Sequence, residues 1–542
     1  MKFRYYIRGF GAGLIVAAAV LLIAGMIEKL GVSAVIDATH PYAKEVTKNI
    51  TAACTEKKLE LSKSELADKI KGGWAGQIIG CTYGGPTEFR YRQKMIPDDV
   101  KINWDENRPI TTGIFGGLYD DLYLDITFMD VFERFGFNAP RIEFQRAVGG
   151  STYELWAANR ALRFAWLDGF QRGEPTSWKV NPMYNDIDFQ IESDYAGLMS
   201  PAMPNVAVKF AEPAGRSINS NDGFYCGAYV AAMYSIAFVS NDMEFVVAEA
   251  LKVVPAESRT RKMMSDIIEW HKQNPKDWKQ AWQKFEDKYV KTHDANFGSR
   301  DIHAPNNCAY ILIGLLYGDG DFEKTIDISM RCGLDSDCNP ASAGGILATS
   351  LGYSKIPEKF RKPLEKSRDK LFMGTSYSPE KVYSTSLKQA LAVLEANGAD
   401  FEGDKIMVSA QPLAELPLEE DAPSANEVSS KNIPVKLAGS TVVEFEGRSA
   451  VLYPSAEFSK AFKAFANAQK QKGFAGEIEV VLDGKKVRTA KFFTEKYRNE
   501  RDFIFAERDI ANGKHKLELK LANAKKGFPE FFGYLRIYSE KK

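Results

Sequence analysis

Across residues 61–401 the apolar positions recur at spacings of three and four. SELADKIKGGWAGQIIG, DLYLDITFMDVFERFG, YVAAMYSIAFV, MEFVVAEALKVV and CAYILIGLLYG all carry it, which lays an apolar stripe along one face of a helix. Turn and loop signals separate these segments and no strand-like alternation recurs. The pattern predicts one all-α domain over 61–401, large beside the ~50–250 residues of most domains. Residues 409–434, rich in Pro, Ser and Glu, have no period and read as a linker, drawn at 402–434. Beyond it the period becomes two. TVVEFEGRSAVLY, GEIEVVLDGKKVRTAKFF, RDFIFAERDI and KHKLELKL read as strands, with Asp483-Gly484 and Asn512-Gly513 as hairpin turns. They predict a small all-β sandwich over 435–542, so the chain is multi-domain.

The N-terminus breaks both patterns. Lys2, Arg4 and Arg8 precede a nearly unbroken apolar run over 10–27, long enough as a helix to cross a ~30 Å bilayer core. With no small-x-small cleavage site in view, this predicts a membrane-anchor helix over 1–30, in preference to a removed signal peptide or a buried core helix, the N-terminus inside and the rest extracytoplasmic, anchored or secreted, or cytoplasmic if the segment is not native. GVSAVIDATHPYAKEVTKNITAAC follows, reading as a buried strand and a helix started by Thr39 and Pro41. It resembles a short piece of the precorrin reductases. No glycine-rich nucleotide fingerprint or second half accompanies it, so 31–56 stands as a reductase-like fragment or linker without a function.

Length and charge narrow the field. At 542 residues the chain exceeds one hydrophobic core. Lys+Arg and Asp+Glu are each 71, so no overall field recruits nucleic acid. The six cysteines form no CxxC pair, which argues against zinc.

The chemistry concentrates in acidic motifs. In RCGLDSDCNPASAGG, Asp335 and Asp337 stand two apart, so in an extended loop both side chains leave on the same side. Two carboxylates held so close repel unless a cation lies between them. A second pair, Asp120 and Asp121, follows Gly116 and Gly117 and opens an amphipathic helix. Oxygen ligands without His or Cys partners favour Mg²⁺, Mn²⁺ or Ca²⁺, one or two ions. An Asp at a helix start also serves simply as a cap, and the residues alone leave that open. Gly344 and Gly345 each cost ~1 kcal/mol in a helix interior. They are read as clearing room for a sugar to approach the ion.

KIKGGWAGQIIGCTYGGPTE, YDD and GLDSDCNPASAGGILATSLGYSKIP, in this order and spacing, resemble the ADP-ribosylglycohydrolase family over residues 61–362. The resemblance implies an all-α fold with a binuclear Mg²⁺ site. The family's mobile glutamate falls on Glu88, its Thr-Asp-Asp motif on Tyr119, Asp120 and Asp121, and its Asp-x-Asp-Thr motif on Asp335, Asp337 and Cys338. Tyr119 and Cys338 thus replace threonines whose hydroxyls bind metal, and Leu122 replaces another threonine. SINSNDGFYCGAY resembles a pocket-lining loop, which would put Asn219, Asn221 and Asp222 against substrate, together with Asn339 and Asp194. Glu88, Asp121 and Asp335 are the expected catalytic residues, with Glu88 as acid/base. Glu192 joins Asp194 as an acidic residue near a turn that fits either a substrate contact or a helix surface. Trp74, Trp156 and Tyr184 suit either sugar stacking or core, and His303 reads as core.

The implied activity is metal-dependent hydrolysis of an extracytoplasmic small-molecule glycoside or glycan, the sandwich binding carbohydrate or bracing the catalytic domain. Two alternatives remain open. One is cleavage of ADP-ribose from arginine or serine, which requires anion-binding groups beside the pocket, and no basic cluster adjoins the motifs. The other is a non-catalytic sugar-binding surface protein.

Overall fold

The sequence KSELADKIKGGWAGQIIGCTYG has a glycine at every fourth position from Gly72 to Gly84, and the fold is built on that stripe. In the computed structural model, which describes residues 58–102, 104, 119–170, 175–294, 297–435 and 440–540, helix Lys63–Gly84 lies directly against helix Cys338–Leu351. A Cβ added at Gly72, Gly76, Gly80 or Gly84 would run into the backbone oxygen of Ala348, Gly344, Pro340 or Ser336 respectively. Only glycine permits this approach. The small residues of ASAGGILATSLG therefore receive a helix. Gly344 and Gly345 face Gly76, Gly73, Ile326 and Tyr234, which corrects the expectation that they open a path for sugar.

Around this pair pack helices Asp120–Phe135, Pro204–Ile218, Asn221–Ala237, Ala304–Tyr317 and Phe322–Arg331, sharing one large apolar core. The helical domain is confirmed with one addition. Strand Lys58–Ser62 pairs antiparallel with Lys405–Ser409, which pairs with Asp400–Glu402, so the two ends of the unit are stitched together.

The linker drawn at 402–434 is corrected accordingly. Its start is this strand and its end is strand Ala425–Val435 of the sandwich. The residues between run as a strap across the helical unit. The Pro412 carbonyl and the Ala414 amide bond the Asn205 side chain, Leu416 N–H bonds the Val253 carbonyl, and Asp421 accepts from Tyr184 and Arg259, each at 2.8–2.9 Å.

The C-terminal unit is two antiparallel sheets with a shared core. One has the strand order Ser440–Gly447, Gly513–Ala522, Phe474–Leu482, Lys485–Phe493; the other Ala425–Val435, Phe531–Glu540, Ser449–Pro454, Phe505–Glu507. Asp483-Gly484 is a two-residue hairpin turn with φ of 48° and 78°, as a turn matching the strand twist requires. Asn512-Gly513 is not a hairpin: the chain there leaves one sheet for the other. The unit is also not all β. Phe458, Phe462 and Phe465, four and three apart, form the inner face of helix Ala456–Ala468, packed on Phe492 and Phe528.

The two units are joined through buried charge. Asp168 accepts from Arg488 Nε and Nη2 (3.0 and 2.9 Å), Arg501 Nη1 and Nη2 (2.9 and 2.7 Å) and Lys491 N–H (2.9 Å). Arg163 reaches the Tyr497 carbonyl and Arg160 pairs with Asp502 at 2.8 Å. The anchor at 1–30, the fragment at 31–56, Gly116 and Gly117 lie outside the described residues. Among the described residues, no helix is long and apolar enough to cross a membrane.

Candidate metal centre and active site

The turn carrying Asp335 and Asp337 joins helix Phe322–Arg331 to helix Cys338–Leu351. Gly333 sits at φ 87° with its Cα face against the Tyr91 and Lys94 carbonyls, so no side chain fits there. Leu334 N–H donates to the Tyr91 carbonyl and Phe89 N–H to the Leu334 carbonyl, both at 3.1 Å. Thr87 Oγ1 meets Ser336 Oγ at 2.9 Å. Those bonds hold the turn Gly85–Thr87 and the Glu88 that follows it against the two aspartates.

Asp335, Asp337 and Cys338 present ligand atoms all within 4.8 Å of one another, and all three are buried. Two ionised carboxylates at that separation repel by about 3–4 kcal/mol at an effective dielectric near 20. Burial raises the Asp335 carboxyl, and raises Asp337 further because the charges of Asp335 and Glu88 add to it. The Glu88 carboxyl is pushed up to about 7 by burial and then by Asp335.

Asp120 and Asp121 begin helix Asp120–Phe135, whose N-cap position, Tyr119, makes no side-chain cap. Asp121 Oδ1 accepts from its neighbour Leu122 N–H at 2.8 Å. Burial drives both carboxyls well above the usual range, with Asp335, Glu88 and Asp188 acting next on Asp120, and Asp120 next on Asp121. The two motifs and Glu88 therefore converge on one buried acidic site.

The residues present fit a hard cation. Among the described residues, Asp121 Oδ2, Asp335 Oδ1 and Asp337 Oδ1 are buried without a hydrogen-bond donor, and burial of that kind is unfavourable unless a positive charge meets it. Without an ion, burial first and then Asp335 and Asp337 push the Cys338 thiol well up, and it hydrogen-bonds Asp335; its Sγ lies in the same cluster of ligand atoms. Tyr119 turns its hydroxyl onto Thr82, at 2.8 Å, in helix Lys63–Gly84.

Two further acids border the site. Asp188 accepts from the Ala158 and Asn159 amides at 3.1 and 3.0 Å, and burial raises it to about 6. Glu192, bonded by Asn159, has its other oxygen unpartnered and feels Asp188 and Asp120 after its own burial. Asp188 has a sequence signal: NDIDFQIESD spaces acids through apolar residues, which a surface helix does not. Glu192 is fully buried, so the helix-surface option is removed.

The expected substrate residues separate. Asn339 is at the site, its amide donating to Asn307 Oδ1 at 3.0 Å and its own oxygen unpartnered. Asp194 is held by Tyr234 at 2.6 Å and raised by burial and then Asp125, inside the helical core. Asn219 accepts from Phe189 N–H at 3.0 Å and donates to the Tyr184 and Asp186 carbonyls, both at 2.9 Å, so it pins the loop that carries Asp188. Asn221 bonds the Glu420 carbonyl of the strap. Asp222 accepts the Thr260 amide and hydroxyl at 3.0 and 2.8 Å. Asn219, Asn221 and Asp222 are thus fastenings of the scaffold. Trp74, Tyr184 and His303 are core, and Trp156 is 44% exposed.

A family model described as ADP-ribosylglycohydrolase matches residues 62–386, covering most of the helical unit and every acidic motif above. One described as Precorrin-6x reductase CbiJ/CobK matches residues 19–67. A solved structure titled ADP-ribosylglycohydrolase-related protein complex is 15% identical, over 61% of this chain and 99% of that chain, with a TM-score of 0.41, too distant to argue from. No curated protein matches.

Proposed function

The chain belongs to the ADP-ribosylglycohydrolase family, and on that premise we propose that it is a metal-dependent hydrolase of glycosidic bonds in an extracytoplasmic glycoside or glycan. The observation that carries this reading is the convergence of Glu88, Asp120, Asp121, Asp335 and Asp337, with three of their oxygens lacking a donor among the described residues. Export is supported by the basic residues and apolar run of the first 27 residues.

Asp120, Asp121, Asp335 and Asp337 would hold one or two ions of the Mg²⁺, Mn²⁺ or Ca²⁺ class. When bound, such an ion supplies positive charge that orients vicinal hydroxyls and stabilises charge developing at the reacting oxygens. Glu88 does the proton work. With its carboxyl near 7, acid and carboxylate are both populated at neutral pH, so it can protonate the departing oxygen and later take a proton from water. The Thr87–Ser336 contact and the Phe89–Leu334 bond position it, Cys338 orients Asp335, and Asn339 offers its unpartnered carbonyl to a sugar hydroxyl.

The test is turnover of an aryl-glycoside panel and of ADP-ribosyl-arginine and ADP-ribosyl-serine peptides, with each ion and in chelator, by the parent and Glu88→Gln. Ion-dependent release of the aglycone, lost about 10²- to 10⁴-fold in Glu88→Gln, supports the proposal. Turnover confined to ADP-ribosyl substrates moves the substrate to ADP-ribose. Ion binding without turnover of either moves the protein to the sugar-binding class.

A further inference from the structure

The motifs bring no basic cluster with them, yet the fold assembles one where the sandwich meets the helical unit. A cleft of about 450 Å³ there has Arg300 and Met183 on the helical side and Arg508, Arg536, Tyr453 and Tyr538 on the sandwich side, and no carboxylate in its lining among the described residues. Its volume falls in the ~300–1,000 Å³ range of small-ligand sites.

The guanidiniums are held in place. Arg508, 4% exposed, donates to the Trp178 carbonyl at 3.0 Å and lies 5.3 Å from the Tyr184 ring. Tyr534, Arg536 and Tyr538 occupy alternate positions of one strand and so share a face. Tyr534 stacks on Tyr453 across the strand pair, centroids 5.3 Å apart and 18° from parallel, and Arg536 lies 5.3 and 5.4 Å from these rings. Three acids stand close to the cleft: Glu427 is 3.7 Å from Arg536, Asp301, 3.5 Å from Arg300, also pairs with Arg92 at 3.0 Å, and the buried Asp186 lies against Gly298, its carboxyl pushed well up by burial first and then by Asp188.

Planar guanidinium forks match carboxylate and phosphate oxygens bidentately, and tyrosine rings offer a face to a sugar. The cleft also borders the acidic centre through two segments. Met183 is on the loop that carries Asp188, and Arg300 is beside Ile302, which packs with Ile187 and Cys338. We propose that this interdomain cleft is a subsite for a sugar bearing a negatively charged group, a carboxylate or a phosphate, delivered by the sandwich to a ligand that extends toward the acidic centre. The subsite stands whether or not that centre turns over.

Isothermal titration of the whole protein tests it. The probes are a glucuronate-bearing disaccharide, its glucose counterpart, ADP-ribose and inorganic phosphate. The variants are Arg300→Gln, Arg536→Gln and Tyr453→Ala, each checked by its melting temperature. Binding of the uronate or of ADP-ribose, about 10- to 100-fold weaker in Arg536→Gln and in Arg300→Gln, supports the subsite, and the tighter of the two names the source of the charge. Equal affinity for the glucose counterpart, affinity unmoved by all three variants, phosphate binding as tightly as either sugar, or no binding of any probe overturns it.

Discussion

Replacing Asp168 by alanine removes a buried carboxylate to which two arginines of the sandwich are fastened. Arg501 has only 2% of its side chain exposed and Arg488 17%, and Asp168 takes four bonds from them and one from the Lys491 amide. The variant strips both largely buried guanidiniums of the carboxylate that accepts from them, leaving Arg488 the more distant charge of Glu507, which costs about 3–5 kcal/mol. For a unit the size of the sandwich, where 1 kcal/mol moves Tm by roughly 4 °C, that is a shift of about 12–20 °C. Differential scanning calorimetry reads it. Acid gives a second check. Burial disfavours the Asp168 carboxylate, but Arg501 and Arg488 outweigh it and hold the carboxyl below its ordinary value. The folded value being depressed, this stabilisation is complete above the unfolded pKa of ~3.9 and is lost as pH falls through the folded value. Parent and Asp168→Asn should therefore differ most near neutrality and converge in strong acid. A loss under 1 kcal/mol at pH 7, or a gap that widens in acid, would refute the reasoning.

Gly76→Val drives a side chain into the Gly344 backbone, which cannot yield, and should cost about 3 kcal/mol or more or prevent folding. Gly150→Ala, with open space at its Cβ, should be neutral or slightly stabilising by thermal melting. Asn219→Ala strands the Phe189 amide and two carbonyls and should cost about 2–4 kcal/mol with faster hydrogen exchange at Phe189; a substrate contact would instead lower affinity at unchanged stability. In the pH profile of turnover the acid form of Glu88 is depleted as pH rises past about 7, so the rate of the step that protonates the leaving group falls there, and Glu88→Gln removes that limb.

The helical domain and the acidic motifs were legible because their signals are local. Apolar spacing marks a helix wherever it is buried, and Asp335 with Asp337, or Asp120 with Asp121, stand within two positions of each other in the chain. What failed depends on partners distant in sequence. Gly344 and Gly345 are small because Gly73 and Gly76 lie across from them, and each motif read alone permits a ligand in that space. Asn219 and Asp222 are polar residues opening a helix, a pattern shared by pocket loops and by scaffold fastenings, and only the positions of Phe189 and Thr260 decide between them. Phe458, Phe462 and Phe465 carried a helical spacing outweighed by the period-two segments on either side. The strap of 411–424 has no period because its bonds run to the helical unit, so composition alone could not tell it from a free tether.

The claim that Asp120, Asp121, Asp335 and Asp337 form a metal centre is tested most directly by melting the whole protein in chelator and in millimolar Mg²⁺, Mn²⁺ or Ca²⁺, beside Asp335→Ala/Asp337→Ala. An ion at about 100 times its Kd stabilises by about 2.7 kcal/mol, a rise of a few degrees. The parent should show that rise with at least one ion, and the double variant should lose it while melting in chelator no lower than the parent, since two repelling buried carboxylates are gone. A parent indifferent to every ion, or a double variant that responds as the parent does, would contradict the metal centre.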